Sequence, residues 1–131
     1  MKINHHFKKD GNRTVATTVN WENGEKKVSI TIDSDVSGLF SEELNQIVIE
    51  DYSARKILFY SKDGRLQHDI PLPTLEGYSF RGLNKNNTTK TGISLIFNPE
   101  TKEHETTWND MVQYELLINP PYIGKFLGIY R

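Results

Sequence analysis

The sequence predicts an all-β protein, and three observations support that prediction. Residues 46–73 contain three short β-rich runs joined by tight turns, one of which carries an Asp-Gly dipeptide. Residues 14–21 and 27–33 alternate polar and apolar side chains on either side of Asn-Gly, the preferred dipeptide of a type I′ hairpin. Helix signals are scarce elsewhere, so we expect antiparallel sheets throughout the chain.

The remaining elements are short and separated by polar or proline-containing breaks. Residues 41–44, which begin with Ser41, are the one helix candidate, and a single turn is expected there. Residues 84–91 are polar and poor in strand formers, so they predict a mobile loop. Five further strands are expected, at residues 78–83, 92–98, 105–109, 112–118 and 126–130.

Two segments of the chain share one order of elements. Residues 46–73 and 93–120 each give strand, polar turn, strand, turn and strand before a proline. Residues 51–73, DYSARKILFYSKDGRLQHDIPLP, resemble a blade of the NHL or six-bladed propeller families. The resemblance implies a partial, propeller-like arrangement of about three blades, or half a ring. A two-sheet β-sandwich is the alternative that fits the same strands.

Length and composition indicate one soluble domain over residues 1–131. A charged fraction of 25% with a net charge of −1 gives no generally basic surface, so nucleic acid is not expected as a direct partner. Cysteine is absent, which excludes disulfides and thiolate metal sites. No signal-peptide core and no apolar run of about 20 residues is present, so we expect a cytoplasmic protein without a membrane segment.

No residue pattern predicts catalysis, a metal or a cofactor. The four histidines lack metal-site spacing, and the first two, His5 and His6, lie in an N-terminus that we expect to be frayed. Nucleotide-binding and hydrolase motifs are missing from the sequence. Residues 33–38 imitate the opening of a calcium loop, but its twelfth position is Leu44 instead of a glutamate. We therefore expect a polar turn with Gly38 at positive φ.

Charge is distributed unevenly along the chain. Residues 33–54 contain six acidic side chains and no lysine or arginine. This acidic segment has two interpretations: a solvated face, or a surface that steers a basic partner. Trp21, Trp108 and Tyr114 lie within strand runs and are expected to pack in sheets. The candidate partner-binding residues are the six carboxylates and two flanking tyrosines: Asp33, Asp35, Glu42, Glu43, Glu50, Asp51, Tyr52 and Tyr60.

Small size, β-rich sequence, absence of cysteine and a local acidic surface together resemble the immunity proteins of contact-dependent growth inhibition systems. The resemblance implies a bacterial, non-enzymatic inhibitor that covers the active site of a basic toxin, with nuclease toxins as the main expectation. One alternative is a propeller-like scaffold or ligand-binding module whose exposed sheet edges recruit another chain. Another is a small enzyme, which would need carboxylates such as Glu50 and Asp51 to gather around a pocket. The sequence leaves the oligomeric state open.

Overall fold

The computed structural model describes residues 1–100 and 111–130. These residues form eleven β-strands in three antiparallel sheets of three, four and four strands, and no helix. The predicted all-β class is therefore confirmed, while the two-sheet count of the sandwich alternative is wrong. In every sheet, neighbours in sequence are neighbours in space. The chain divides into two compact units, Met1–Leu72 and Pro73–Arg131.

The first sheet of the Met1–Leu72 unit contains β1 (Asn4–Asp10), β2 (Arg13–Asn23) and β3 (Lys26–Ile32) in that order. The expected hairpin around the Asn-Gly dipeptide is β2–β3, and its glycine has φ +66. The expectation of a frayed N-terminus is wrong, because β1 pairs with β2 along its whole length. In addition, His5 Nε2 accepts a hydrogen bond from the Gly38 amide at 2.9 Å.

The second sheet of this unit contains β4 (Ser37–Ser41), β5 (Gln46–Asp51), β6 (Lys56–Ser61) and β7 (Leu66–Pro71). Strands β5 to β7 are the three that were predicted for residues 46–73, and β4 precedes them as a fourth. Four consecutive antiparallel strands are also the composition of a propeller blade. The sheet is therefore one strand wider than the sequence indicated.

The β4–β5 connection is a turn and not the helical turn that Ser41 predicted. Ser41 Oγ still accepts a hydrogen bond from the Leu44 amide at 3.1 Å, which is the capping contact its residue type favours. The chain then reverses at Asn45, whose φ of 56 lies in the left-handed region that asparagine tolerates. With only four residues between the two strands, the segment closes as a turn and cannot extend as a helix.

The two sheets of the Met1–Leu72 unit pack on a shared apolar core. Alternation along the strands sends one side of each sheet inward. From β2, Val19 and Trp21 contribute side chains that are 0% and 1% exposed, which confirms the packing predicted for Trp21. The other buried members of this core are Val36, Phe40, Ile47, Ile49 and Leu58.

Gly38 lies within strand β4, so the prediction of a turn glycine at positive φ is wrong. Glycine is needed here because the backbone of β4 lies close to core side chains. A Cβ at this position would come within 2.9 Å of Ile49 Cδ1 and 3.4 Å of Val19 Cγ1. The absence of a side chain lets β4 approach the core formed by both sheets. Glycine is therefore favoured at this position for a steric and not a conformational reason.

The Pro73–Arg131 unit contains one sheet, with strands β8 (Tyr78–Lys85), β9 (Ile93–Pro99), β10 (Met111–Leu116) and β11 (Ile123–Tyr130). Each strand contributes one aromatic ring to a row across the sheet, with centroid spacings of 6.0, 6.2 and 5.3 Å. These edge-to-face contacts stabilise the cross-strand register. The row is Phe80, Phe97, Tyr114 and Phe126.

The stretch predicted as a mobile loop, residues 84–91, is a hydrogen-bonded connection. Asn86 Oδ1 accepts bonds from the amide and hydroxyl of Thr88, and Thr91 Oγ1 donates to the Leu116 carbonyl oxygen at 2.8 Å. Thr89 and Thr91 are 5% and 4% exposed. Threonine hydroxyls paired with backbone carbonyls can be buried at little cost, which the sequence-based expectation overlooked.

Some sequence-based expectations lie outside the described residues. The predicted strand at 105–109, with Trp108, and His104 are among them. In the residues that the structure does describe, no helix is long and apolar enough to cross a membrane.

Candidate functional site

The loop between β3 and β4, residues 33–36, carries the first two predicted site residues. Asp33 and Asp35 are both exposed. They occupy alternate positions with Ser34 between them, so the serine turns toward the protein while the carboxylates face solvent. The sequence placed these two residues correctly on the surface.

The backbone of this loop is held by a buried threonine of the first sheet. Thr17, in β2, is 0% exposed, and its hydroxyl donates to the Ser34 carbonyl oxygen at 2.8 Å. The same Oγ1 accepts a bond from the Val36 amide at 3.2 Å. One hydroxyl thus satisfies a donor and an acceptor of the loop in a buried setting, where an unmade hydrogen bond would be costly.

The second sheet holds the loop from its other side. Asp51, at the end of β5, is 4% exposed, and its Oδ1 accepts bonds from Ser34 Oγ at 2.9 Å and the Ala54 amide at 3.1 Å. We call residues 33–36 the tethered loop, because Thr17 and Asp51 fix it to both sheets. The prediction that Asp51 is an exposed binding carboxylate is wrong, since its oxygen is buried and engaged within the protein.

Tyr52 follows directly after Asp51 and is one of the most exposed large side chains, with 48% of its surface accessible. The Arg55 guanidinium carbon lies 5.0 Å from its ring centroid, within the range of a cation–π contact. Arg55 has a φ of 59, and its amide donates to the Tyr52 carbonyl oxygen at 3.1 Å. The β5–β6 turn therefore presents an aromatic ring and a cation as one unit.

A shallow cleft of about 380 Å³ lies beside the tethered loop. It is bordered by Asp33, Ser34 and Asp35, by Ser53 of the β5–β6 turn, and by Arg13 at the start of β2. Ser53 brings the β5–β6 turn to this cleft, whereas Tyr52 and Arg55 belong to the same turn but are not among the residues that line it. Arg13 adds positive charge beside the two carboxylates, which the count of acidic residues along residues 33–54 did not reveal.

The remaining carboxylates do not join this surface. Glu42 and Glu43 lie in the β4–β5 turn, at the end of β5 opposite to Asp51. Glu50 is half-buried within β5, opposite Ile57 of β6. Adjacent residues on a strand point to opposite faces, so the side chains of Glu50 and Asp51 diverge.

Tyr60 lies in β6 and packs against the shared core of the Met1–Leu72 unit. It pairs with Ile47, at the end of the sheet away from Tyr52. Burial, followed by the charge of Asp69, raises the pKa of the Tyr60 phenol above its ordinary value of 10.0. Tyr60 is therefore a core-packing residue, and Tyr52 is the exposed one of the two predicted tyrosines.

The geometry of the described residues does not support metal binding. No group of three or more histidine, aspartate or glutamate side chains is arranged to hold an ion there. In the calcium-like segment, residues 33–38, the carboxylates of Asp33 and Asp35 are exposed while Gly38 is already in strand β4. The segment is therefore a loop-to-strand connection and not the sharp turn of a calcium site.

Sequence reasoning missed the residues that organise this surface, namely Thr17, Ser34 and Arg55. One signal was available: in β2, Thr17 shares the inward-facing parity of Val19 and Trp21. A polar residue at a core-facing position needs a hydrogen-bonding partner, so the pattern indicated a buried polar contact. The identity of that partner depended on the tertiary structure.

Comparisons with known proteins found no relative of this chain. Neither a protein-family model, nor a curated protein, nor a solved structure matches this chain.

Proposed function

We propose that this chain is a non-enzymatic, cytoplasmic inhibitor of the immunity-protein type, which binds a basic toxin domain. The observation that carries the proposal is the tethered loop. Its two carboxylates, Asp33 and Asp35, face solvent, while Thr17 fixes its backbone and Asp51 accepts a hydrogen bond from the Ser34 hydroxyl. A loop that is already ordered loses little conformational entropy on binding, so more of the contact energy becomes affinity.

Electrostatics define the partner's chemistry. A nuclease toxin holds its substrate phosphates with lysine and arginine side chains, and carboxylates on an inhibitor can occupy the same positions. Asp33 and Asp35 supply that charge. Tyr52 supplies a large, partly exposed ring of the type that dominates interface energies. The three residues together supply charged and aromatic contacts for a partner.

Specificity is expected from the cations beside the acidic residues. Arg13 borders the same cleft as Asp33 and Asp35, and Arg55 stacks on Tyr52. A uniformly basic partner would be repelled by these two side chains. The best partner therefore has a carboxylate next to its basic groups, a combination found where an active site lies beside a substrate-binding groove.

The first test is protection. A toxin domain encoded beside this chain's gene is expressed in a bacterial host with and without this protein, and survival is measured. Survival only in the presence of this chain supports the proposal. The absence of such a toxin gene, or equal killing in both cultures, contradicts it.

The second test locates the surface by charge reversal. Asp33→Lys with Asp35→Lys should weaken binding to the toxin domain by about 1 kcal/mol or more per residue, measured by isothermal titration calorimetry. Glu42→Lys with Glu43→Lys is the matched control, because it changes the net charge equally at the opposite end of β5. Equal losses in both double variants would show that only net charge matters and would refute the surface.

A further inference from the structure

A second polar groove, of about 680 Å³, lies in the Met1–Leu72 unit at the end away from the tethered loop. It forms where the residues before β1, the end of β2 and the β6–β7 turn come together. None of the residues of the proposed inhibitor surface lines it. The groove is therefore independent of the proposed function.

The wall of this groove is fixed by two hydrogen bonds between the sheets. Trp21 Nε1 donates to the Lys62 carbonyl oxygen at 2.8 Å, and Asn23 Nδ2 donates to Asp63 Oδ1 at 2.9 Å. Both bonds join β2 to the β6–β7 turn. The Lys62 ammonium also lies 5.5 Å from the Phe40 ring centroid, which restrains the side chain. These contacts within the protein fix the shape of the groove wall.

Its lining is positively charged. Lys2, Lys27 and Lys62 contribute ammonium groups, whereas Glu22 is the one carboxylate among the lining residues. None of the three lysines forms an ion pair with a residue that the structure describes. Lys27 also borders an adjoining groove with Lys26, Arg65 and one carboxylate, Asp63, so cations outnumber carboxylates past the edge of the first groove as well.

Amide groups complete the lining. Asn4, Asn20 and Asn23 all border the groove, and Asn23 already uses its Nδ2 on Asp63. The side chains of Asn4 and Asn20 form no hydrogen bond within the described residues. Each therefore keeps a carboxamide that can donate to an oxygen and accept from a hydroxyl.

We propose that this groove binds a small anion that carries two or more phosphate groups. Three ammonium groups match the several charges of such a molecule, and the amides match its oxygen and hydroxyl groups. The groove volume lies within the range of about 300–1,000 Å³ that is typical of small-molecule sites. Its polar lining disfavours an apolar ligand, which would leave the ammonium and amide groups without water or a partner.

The experiment uses the full chain and inorganic tripolyphosphate as the probe. Isothermal titration calorimetry at about 0.15 M salt should give saturable binding that weakens as salt rises, since the contacts are between charges. Lys27→Gln with Lys62→Gln should reduce the affinity at least tenfold. Asn20→Ala keeps every charge and should reduce it about threefold through loss of one hydrogen bond.

The matched control is Lys8→Gln with Lys9→Gln, two exposed lysines of β1 that lie outside the groove. This variant removes the same charge and should change the affinity less than threefold. Thermal unfolding without tripolyphosphate identifies any variant that is misfolded. If the double lysine variant of the groove is misfolded, the affinity of the Asn20→Ala variant decides the outcome. The proposal is overturned if the unmodified chain shows no saturable binding, if the control loses as much affinity as the groove variant, or if Asn20→Ala leaves the affinity unchanged.

Discussion

At the scale of single residues, the decisive positions are those whose type disagrees with their surroundings. Thr17 is a hydroxyl among core side chains, and Gly38 is a glycine within a strand. Each looks unfavourable in isolation, because strands prefer large side chains and cores prefer apolar ones. Each is explained by a neighbour that is distant in sequence: the tethered loop for Thr17 and Ile49 for Gly38.

Gly38→Ala is expected to destabilise the protein by about 1–3 kcal/mol, because its Cβ would meet Ile49 Cδ1 at 2.9 Å. Urea unfolding followed by circular dichroism measures the change. Ile49→Val deletes that Cδ1 and should cost about 0.5–1.5 kcal/mol alone. In the Ile49→Val background, Gly38→Ala should lower the free energy of unfolding by clearly less than it does in the unmodified protein. An equal loss in both backgrounds would show that the clash with Ile49 is not the cause.

Tyr60 gives a prediction for alkaline conditions. Burial, and then Asp69, raise its pKa in the folded protein above the ordinary value of 10.0. The folded chain therefore keeps the phenol proton at pH values where the unfolded chain has released it. The stability that this proton contributes is complete below about pH 10 and falls as the pH rises above it. Tyr60→Phe should lose less stability than the unmodified protein above that pH, as urea unfolding at several pH values can measure.

The control for this prediction is Tyr52→Phe, since Tyr52 is exposed and lies outside the core. It should leave the alkaline loss of stability unchanged. If Tyr60→Phe loses as much stability at high pH as the unmodified protein does, folding does not raise the pKa of the Tyr60 phenol.

At the scale of elements, strand β5 organises both ends of its sheet. At its start the β4–β5 turn presents Glu42 and Glu43, and at its end Asp51 fixes the β5–β6 turn and the tethered loop. The two groups therefore lie at opposite ends of this six-residue strand. A run of acidic residues that is continuous in sequence is therefore divided in space, because a meander carries its successive turns to opposite ends of the sheet.

Asp51→Ala is expected to destabilise the protein by about 1–3 kcal/mol, because it leaves the Ser34 hydroxyl and the Ala54 amide without their acceptor. Chemical unfolding measures this loss. Asp35→Ala, which removes an exposed carboxylate from the same loop, should change stability by no more than about 0.5 kcal/mol. Similar effects for the two variants would refute the tethering role of Asp51.

At the scale of the whole molecule, a net charge of −1 conceals local surfaces of different character. The tethered loop presents acidic groups with Arg13 beside them, while the groove that contains Lys27 and Lys62 is basic. Both surfaces belong to the Met1–Leu72 unit, in which the two sheets share one core. This unit thus offers one surface for a protein partner and another for a small anion, and the two proposals can fail separately.

Much of the fold could be predicted from the sequence, because strand formation and hairpin turns depend on local signals. Alternation in β2 and β3, the Asn-Gly and Asp-Gly turns, and the strands of residues 46–73 were all predicted at the positions where they occur. Strand β1 and strand β4 were missed. Their sequences contain His5, His6 and Gly38, which have weak strand propensity, and pairing with a neighbouring strand overrides such preferences.

Antiparallel strands and a concentration of acidic residues in 33–54 follow directly from the order of amino acids. The role of each predicted site residue follows only from the folded structure: Asp33 and Asp35 border one cleft, Tyr52 is exposed on the neighbouring turn, Asp51 accepts internal hydrogen bonds, and Tyr60 packs against the core. The physical reason lies in the range of the interactions. Strand alternation and turn chemistry act over a few residues, whereas burial and hydrogen bonding of a side chain depend on residues such as Thr17, which are far away in sequence.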